Sequence, residues 1–311
     1  MRRVAFVCPG QGAQRVGMAR DVHAEFPTVR QTLDEAGDAL GEPLDRIVFE
    51  GPEDVLTLTE NAQPALLAVS VAIGRVLRDH GIRPVIAAGH SLGEWSALVL
   101  AGALDFADAI RAVRQRGRFM QEAVAPGVGA MSALLGADLA AAEQLCRDAS
   151  RGDGEIAVPA NVNGAGQIVV AGHTAAVERL EALARERKVR AMRLKVSAPF
   201  HTPLMRPARD RMRAVLDSLA VRDPDPPVVS NVDGRPNASA GRVRDLLAEQ
   251  ITAAVRWEDC AHAVVAACDV VLEVGPGKVL TGLMRRMAPD RPCLATDDVA
   301  GVRAALAEAG A

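Results

Sequence analysis

The chain has 311 residues, 49% hydrophobic and 24% charged, with a net charge of -3. That length allows a substantial buried core and two lobes, while a nearly balanced charge offers no basic footprint for DNA or RNA. Aromatic residues make up only 3%, with no tyrosine, so base-stacking platforms are missing and the core falls to aliphatic side chains.

Five cysteines, Cys8, Cys146, Cys260, Cys268 and Cys293, are odd in number and scattered, without a Cys-x-x-Cys pair. They suggest neither a disulfide framework nor a zinc site. Met1-Arg2-Arg3 leads into an apolar stretch that stops at Pro9-Gly10, too brief for a secretion signal, and no segment approaches ~20 apolar residues. A soluble, cytoplasmic protein is expected, with no metal and no membrane partner.

In chain order, Arg3 to Cys8 reads as a short apolar strand ending in the glycine-rich turn Pro9-Gly10-Gln11-Gly12-Ala13-Gln14, ahead of a mixed helical region. The Gly-x-Gly-x-x-Gly and Walker spacings are both missing, which disfavours a phosphate cradle. The sharper expectation is that Gln11 offers its backbone N–H to a pocket at the strand's carboxyl end. From Gln63-Pro64 to Leu77 the chain is apolar nearly all round, as a buried helix would be, with Pro64 suited to its first turn.

Val85 to Ala88 is a core strand that runs into Gly89-His90-Ser91-Leu92-Gly93. This Gly-x-Ser-x-Gly spacing between a strand and a helix is that of a nucleophile elbow, which strains the serine backbone and needs neighbours without a Cβ. Ser91 would project its hydroxyl over a helix N-terminus, where unpaired N–H groups favour developing negative charge. Asp105 then caps another helix. At about 100° per residue, Ala109, Ile110, Val113, Gly117 and Met120 form its apolar arc, Arg111, Arg114 and Arg118 lie opposite, and Arg116 alone sits at the arc's edge. Arg116 either serves the site, snorkels along the core or pairs with a structural carboxylate.

Residues 126–198 read as a separate module. A strand from Met131 to Leu135, a helix from Asp138 to Ser150, the loop Arg151-Gly152-Asp153-Gly154 and a strand from Ile156 towards Val162 come first. After the turn Asn163-Gly164-Ala165-Gly166 follow a strand from Gln167 to Ala171, a helix from Thr174 to Lys188 and a strand from Ala191 to Val196. This βαββαβ order is ferredoxin-like, and its insertion between two halves of an α/β domain would leave a cleft. The return segment Ser197-Ala198-Pro199-Phe200-His201-Thr202-Pro203 holds His201 between prolines, the best placed of six histidines to act as a base. His90 is too near Ser91 in the chain to point at it easily and reads as support for the turn.

Beyond it, strands are expected at Pro227 to Asn231 and Val270 to Val274, and helices at Val243 to Ala254, Glu258 to Ala267, Val279 to Met287 and finally up to Ala309. The fold class is therefore α/β: an α/β-hydrolase-like core with a parallel sheet, formed by residues 1–125 and 199–311, carrying the ferredoxin-like subdomain 126–198.

The motifs Pro9-Gly10-Gln11-Gly12-Ala13-Gln14, Gly89-His90-Ser91-Leu92-Gly93-Glu94, Arg116-Gly117-Arg118-Phe119-Met120-Gln121, Asn161-Val162-Asn163, Pro199-Phe200-His201 and Glu273-Val274-Gly275-Pro276-Gly277-Lys278-Val279-Leu280 are specific in combination. With them the chain resembles, nearly end to end, the malonyl-CoA:acyl carrier protein transacylase family and its polyketide relatives. The resemblance implies Ser91 as acyl-bearing nucleophile, His201 as its base, and backbone N–H groups of Gln11 and Leu92 as the oxyanion hole. It implies that Arg116 grips a free carboxylate, that Asn161 and Phe200 line the substrate site, and that Gln250 orients the base through its carbonyl. Trp95 stands where relatives often carry tyrosine and is expected to reshape the pocket wall. The implied partners are malonyl-CoA and an acidic acyl carrier protein, with no bound cofactor, and a monomer is expected. An acyl hydrolase using the same Ser-His pair is the alternative.

Overall fold

The computed structural model describes residues 2–152, 154–196 and 198–310. Asp153 of the expected loop and Ser197 of the return segment lie outside the described residues. The first half contains β1 (Val4–Cys8), α1 (Arg20–Glu25), α2 (Pro27–Leu40), α3 (Leu44–Glu50), α4 (Glu53–Thr57), α5 (Thr59–Asp79), β2 (Pro84–Gly89), α6 (Leu92–Leu100) and α7 (Phe106–Glu122). The middle segment follows with β3 (Gly129–Leu135), α8 (Leu139–Ala149), β4 (Ala157–Gly164), β5 (Gln167–His173), α9 (Thr174–Glu186) and β6 (Arg190–Arg193). The chain closes with α10 (Arg206–Ser218), β7 (Val228–Val229), β8 (Pro236–Asn237), α11 (Ala240–Gln250), α12 (Trp257–Ala267), β9 (Val270–Glu273), α13 (Val279–Met287), β10 (Cys293–Ala295) and α14 (Val299–Ala309).

Six strands form one sheet in the order β10-β9-β1-β2-β7-β8, parallel except for the β7–β8 pair. Buried parallel strands carry apolar residues continuously, and β1 is buried at all five positions. Because β1 and β2 run together to the pair Cys8 and Gly89, the loops that leave them emerge side by side. One loop carries Gln11 and the other Ser91, at the sheet's carboxyl edge, where ligands of such sheets bind.

The second sheet, β4-β5-β3-β6, is antiparallel throughout, the strand order of a ferredoxin-like unit. Successive side chains of its strands point to opposite faces. Leu134 and Val170 bury against Leu145 of α8 and Leu180 of α9, whereas Met131, Ala133, Val169 and Ala171 join the main core together with Phe200. The small sheet thus backs onto its own helices and turns its other face to the larger unit.

Several boundaries move. Pro64 is the sixth residue of α5 and not in its first turn, because the N–H groups of Asn61 and Ala62 already donate to the Leu58 carbonyl. The strand expected from Ala191 to Val196 ends at Arg193, and the one from Pro227 to Asn231 keeps only two residues. Helix α10 and strands β8 and β10 are additional. All five cysteines are buried and free.

Candidate active site

Only His90 and Ser91 separate β2 from α6, so the chain must reverse within two residues. Ser91 absorbs the turn at φ 51, ψ −105, a region that costs a residue with a Cβ about 1–3 kcal/mol. Its N–H donates to Asn231 Oδ1 at 2.7 Å, and the Asn231 amide donates to the Gly89 carbonyl at 2.7 Å, so one asparagine grips both sides of the turn. The flanking glycines are required by close approach. A Cβ on Gly89 would lie 1.9 Å from the carbonyl carbon of Gly93, and one on Gly93 would lie 2.0 Å from the Cys8 oxygen.

His201 comes from the turn after Pro199, in the left-handed region at φ 61. Its Nδ1 lies 2.8 Å from the main-chain oxygen of Gln250 and its Nε2 lies 2.8 Å from Ser91 Oγ. A carbonyl only accepts, so Nδ1 carries the proton of the neutral ring and Nε2 is left to receive the serine's. Burial, and then the charge of Arg116, lowers His201 to about 3. The resting imidazole is therefore neutral at physiological pH. His90 turns away from Ser91, its Nε2 2.9 Å from Asn163 Oδ1 on β4, and so ties the elbow to the small sheet.

Arg116 is 1% exposed. Its Nη1 donates to Gln63 Oε1 and its Nη2 to Gln250 Oε1, both at 2.8 Å, and Nη2 also reaches Ser91 Oγ at 3.2 Å. Among the described residues no carboxylate forms an ion pair with Arg116, and the guanidinium points to Ser91 Oγ. Burial lowers its pKa to about 10, against the opposing pull of Glu94, so it stays cationic at neutral pH. Its direct partners are neutral, and the nearest carboxylate interaction, with Glu94, runs through Gln250, so the buried guanidinium has no anion in contact.

Around Ser91 lies a cleft of about 190 Å³ whose lining includes Gln11, Gln63, Leu92, Arg116, Asn161, Phe200 and His201. A neighbouring cavity of about 240 Å³ shares Gln11, Gly12, His90, Asn161 and Leu194 with it and continues to Val279, Leu280 and Leu283 of α13. Every expected site residue lines the Ser91 cleft except Gln250, which lies behind it with its main-chain oxygen at His201 Nδ1 and its Oε1 at Arg116 Nη2. Among the described residues neither the Gln11 nor the Leu92 amide has an internal hydrogen-bond acceptor. Trp95 corrects an expectation: its indole is fully buried in the core and does not line the cleft.

Sequence reasoning gave no part to Gln63, Glu94 or Asn231. Gln63 carried a signal, as a polar residue heading an apolar helical run. Glu94 is 3% exposed, and burial raises its carboxyl to about 7 despite its hydrogen bonds to Asn231 and Gln250. Among the described residues no group of three metal-ligating side chains occurs, and no helix is long and apolar enough to cross a membrane.

A serine raised on a strand-to-helix turn, with a neutral histidine at its oxygen, is an arrangement found in α/β enzymes that handle acyl groups through a serine ester. The chain belongs to the acyl transferase family, whose domain model matches residues 5–301, and it is an acyltransferase. It is 42% identical to the malonyl CoA-acyl carrier protein transacylase of Bacillus subtilis (strain 168), over 98% of this chain and 97% of the relative. The transacylase of the same name from Escherichia coli (strain K12) is 44% identical over 98% of this chain and 99% of its own. Among solved structures, the malonyl-transacylase in complex with a type II PKS acyl-carrier protein superposes with a TM-score of 0.95 at 43% identity, covering 98% of this chain and 99% of that one.

Proposed function

We propose that the protein transfers a malonyl group from malonyl-CoA to the phosphopantetheine thiol of an acyl carrier protein, in fatty acid or polyketide synthesis, through a malonyl ester on Ser91. The observation that carries this reading is the meeting of His201 Nε2 and Arg116 Nη2 at one Ser91 oxygen, 2.8 and 3.2 Å away. The names of the relatives agree with it.

In the first half-reaction Ser91 Oγ attacks the thioester carbonyl and gives its proton to His201 Nε2. Negative charge collects on the carbonyl oxygen, facing the N–H groups of Gln11 and Leu92. The C–S bond then breaks, and coenzyme A leaves with the proton from the imidazolium. In the second half the carrier thiol loses its proton to His201 and attacks the serine ester, and Ser91 Oγ departs and recovers the proton. Arg116 pairs with the malonyl carboxylate, which supplies the anion its buried guanidinium lacks. Asn161 and Phe200 form the wall of the acyl site. The cavity reaching α13 suits the long pantetheine arm common to both thioesters.

An acyl hydrolase with the same Ser-His pair would gain nothing from a buried cation facing the nucleophile. Residues 1–125 and 199–311 form the catalytic subdomain in this reading, and 126–198 the smaller one that closes the cleft. The reading includes a monomer in the cytoplasm that needs no bound cofactor; five buried free thiols fit a reducing compartment.

The test is incubation with malonyl-CoA and several purified phosphopantetheinylated carriers, each then weighed. A carrier heavier by one malonyl group is the expected product. Release of free malonate without any loaded carrier would instead indicate a hydrolase.

A further inference from the structure

The elbow motif contains one acidic residue to which the reaction above gives no part. Glu94 stands in the first turn of α6, buried, and does not line the cleft. Its Oε2 accepts two hydrogen bonds, from Gln250 Nε2 at 2.7 Å and from the main-chain N–H of Asn231 at 3.1 Å. These two residues hold the reacting groups. Gln250 orients His201 through its main-chain oxygen and meets Arg116 through Oε1, while Asn231 secures the N–H of Ser91.

We propose that Glu94 is a positioning residue: its Oε2, the closer of the two acceptors of Gln250 Nε2 (2.7 Å, against 3.0 Å to the Ser91 main-chain oxygen), fixes which way the Gln250 amide faces, and so aims both the base and the arginine at Ser91. The inference rests on the acyl-transfer reading above. A glutamine amide has a donor end and an acceptor end, and its environment selects between them. An ionised carboxylate only accepts, so it takes the NH₂ end and leaves Oε1 for the guanidinium. With the amide reversed, the NH₂ group would face the donors of Arg116 and the oxygen would face the carboxylate, two unfavourable contacts in a buried place. The same Glu94 oxygen tethers the Asn231 main chain. The segments bearing the elbow clamp and the base support are thereby anchored at one atom.

The arrangement separates charge from placement. Glu94→Asp keeps the charge but withdraws the oxygen by one methylene, whereas Glu94→Gln keeps the length and offers a neutral carbonyl oxygen. The experiment is single-turnover acylation at pH 8 by malonyl-CoA and by acetyl-CoA, for wild type and both variants. Burst amplitude counts the correctly folded sites, so misfolding lowers the amplitude and leaves the rate. Glu94→Asp is expected to slow malonylation at saturation about 30-fold and to cut the malonyl-to-acetyl preference about tenfold, with little change in KM. Glu94→Gln is expected to restore the rate to within about threefold of wild type. If Glu94→Asp does not fold, Glu94→Gln decides alone: a 30-fold slower rate at full amplitude makes charge the essential property and overturns the proposal. A wild-type rate and preference in Glu94→Asp overturns it as well. Wild-type protein that takes up no malonyl group on Ser91 would refute the acyl-transfer reading itself, an outcome distinct from either.

Discussion

The guanidinium of Arg116 reaches the Ser91 hydroxyl from α7, with Nη2 3.2 Å from Oγ. A carboxylate attached to the acyl group on Ser91 would lie within the arginine's reach and could take two parallel hydrogen bonds, a geometry lysine cannot copy. Acetyl-CoA offers no such group and leaves the cation unpaired. Arg116→Ala should lower kcat/KM for malonyl-CoA by roughly tenfold or more and raise the relative use of acetyl-CoA, and Arg116→Lys should recover only part. Kinetics with both thioesters on all three proteins provide the check. An unchanged malonyl-to-acetyl ratio in Arg116→Ala would make the arginine structural.

The basic run at the end of the small unit is partly neutralised within the fold. Of Arg185, Arg187, Lys188, Arg190, Arg193 and Lys195, Arg187 pairs with Asp148 and Arg193 with Glu181, while Lys195 lines the catalytic cleft. Lys188 and Arg190 are exposed and appear in no ion pair among the described residues. If an acidic carrier docks here, charge reversal at Lys188 and Arg190 should raise the KM for the carrier, most strongly at low salt, and spare acylation by malonyl-CoA. Carrier kinetics that do not change with either reversal would rule this face out.

Two buried site residues titrate in opposite senses. Burial raises Glu94 from an ordinary 4.5 to about 7, with Asp233 adding to the rise and Arg116 opposing it. Between those values the folded protein holds a proton that the unfolded chain has lost. Its contribution is complete below about 4.5 and disappears as pH rises through 7. His201, lowered from 6.5 to about 3, contributes fully above 6.5 and loses that contribution as pH falls. Glu94→Gln removes only the first titration. The stability of that variant relative to wild type, from urea unfolding, should therefore improve by up to about 3 kcal/mol between pH 4.5 and 8. A relative stability that worsens over that range would show that the hydrogen bonds from Gln250 and Asn231 outweigh burial and favour the ionised form.

The sequence exposed most directly what local rules govern. Glycine spacing pointed to Ser91 and flanking prolines to His201, whereas the helical arc left three readings open for Arg116 and only the family resemblance implied its role. Apolar runs marked β1, β2 and β9. The support for the site was hidden because each contact joins distant segments: Ser91 meets Asn231 across 140 positions, Glu94 meets Asn231 across 137, and Gln63 meets Arg116 across 53. No periodicity records such pairs. Strands as short as β7 and β8 have too few residues to show alternation, and Pro64 misled because tertiary burial of α5 tolerates an interior proline.

The central claim is that Ser91 carries the acyl group. It is tested most directly by mixing the protein with malonyl-CoA alone, quenching in acid, and locating any added mass by peptide mapping. One malonyl group per chain is expected, on the peptide containing Ser91, with none on Ser91→Ala. A malonyl adduct retained by Ser91→Ala, or found on another residue of the wild-type protein, would contradict it.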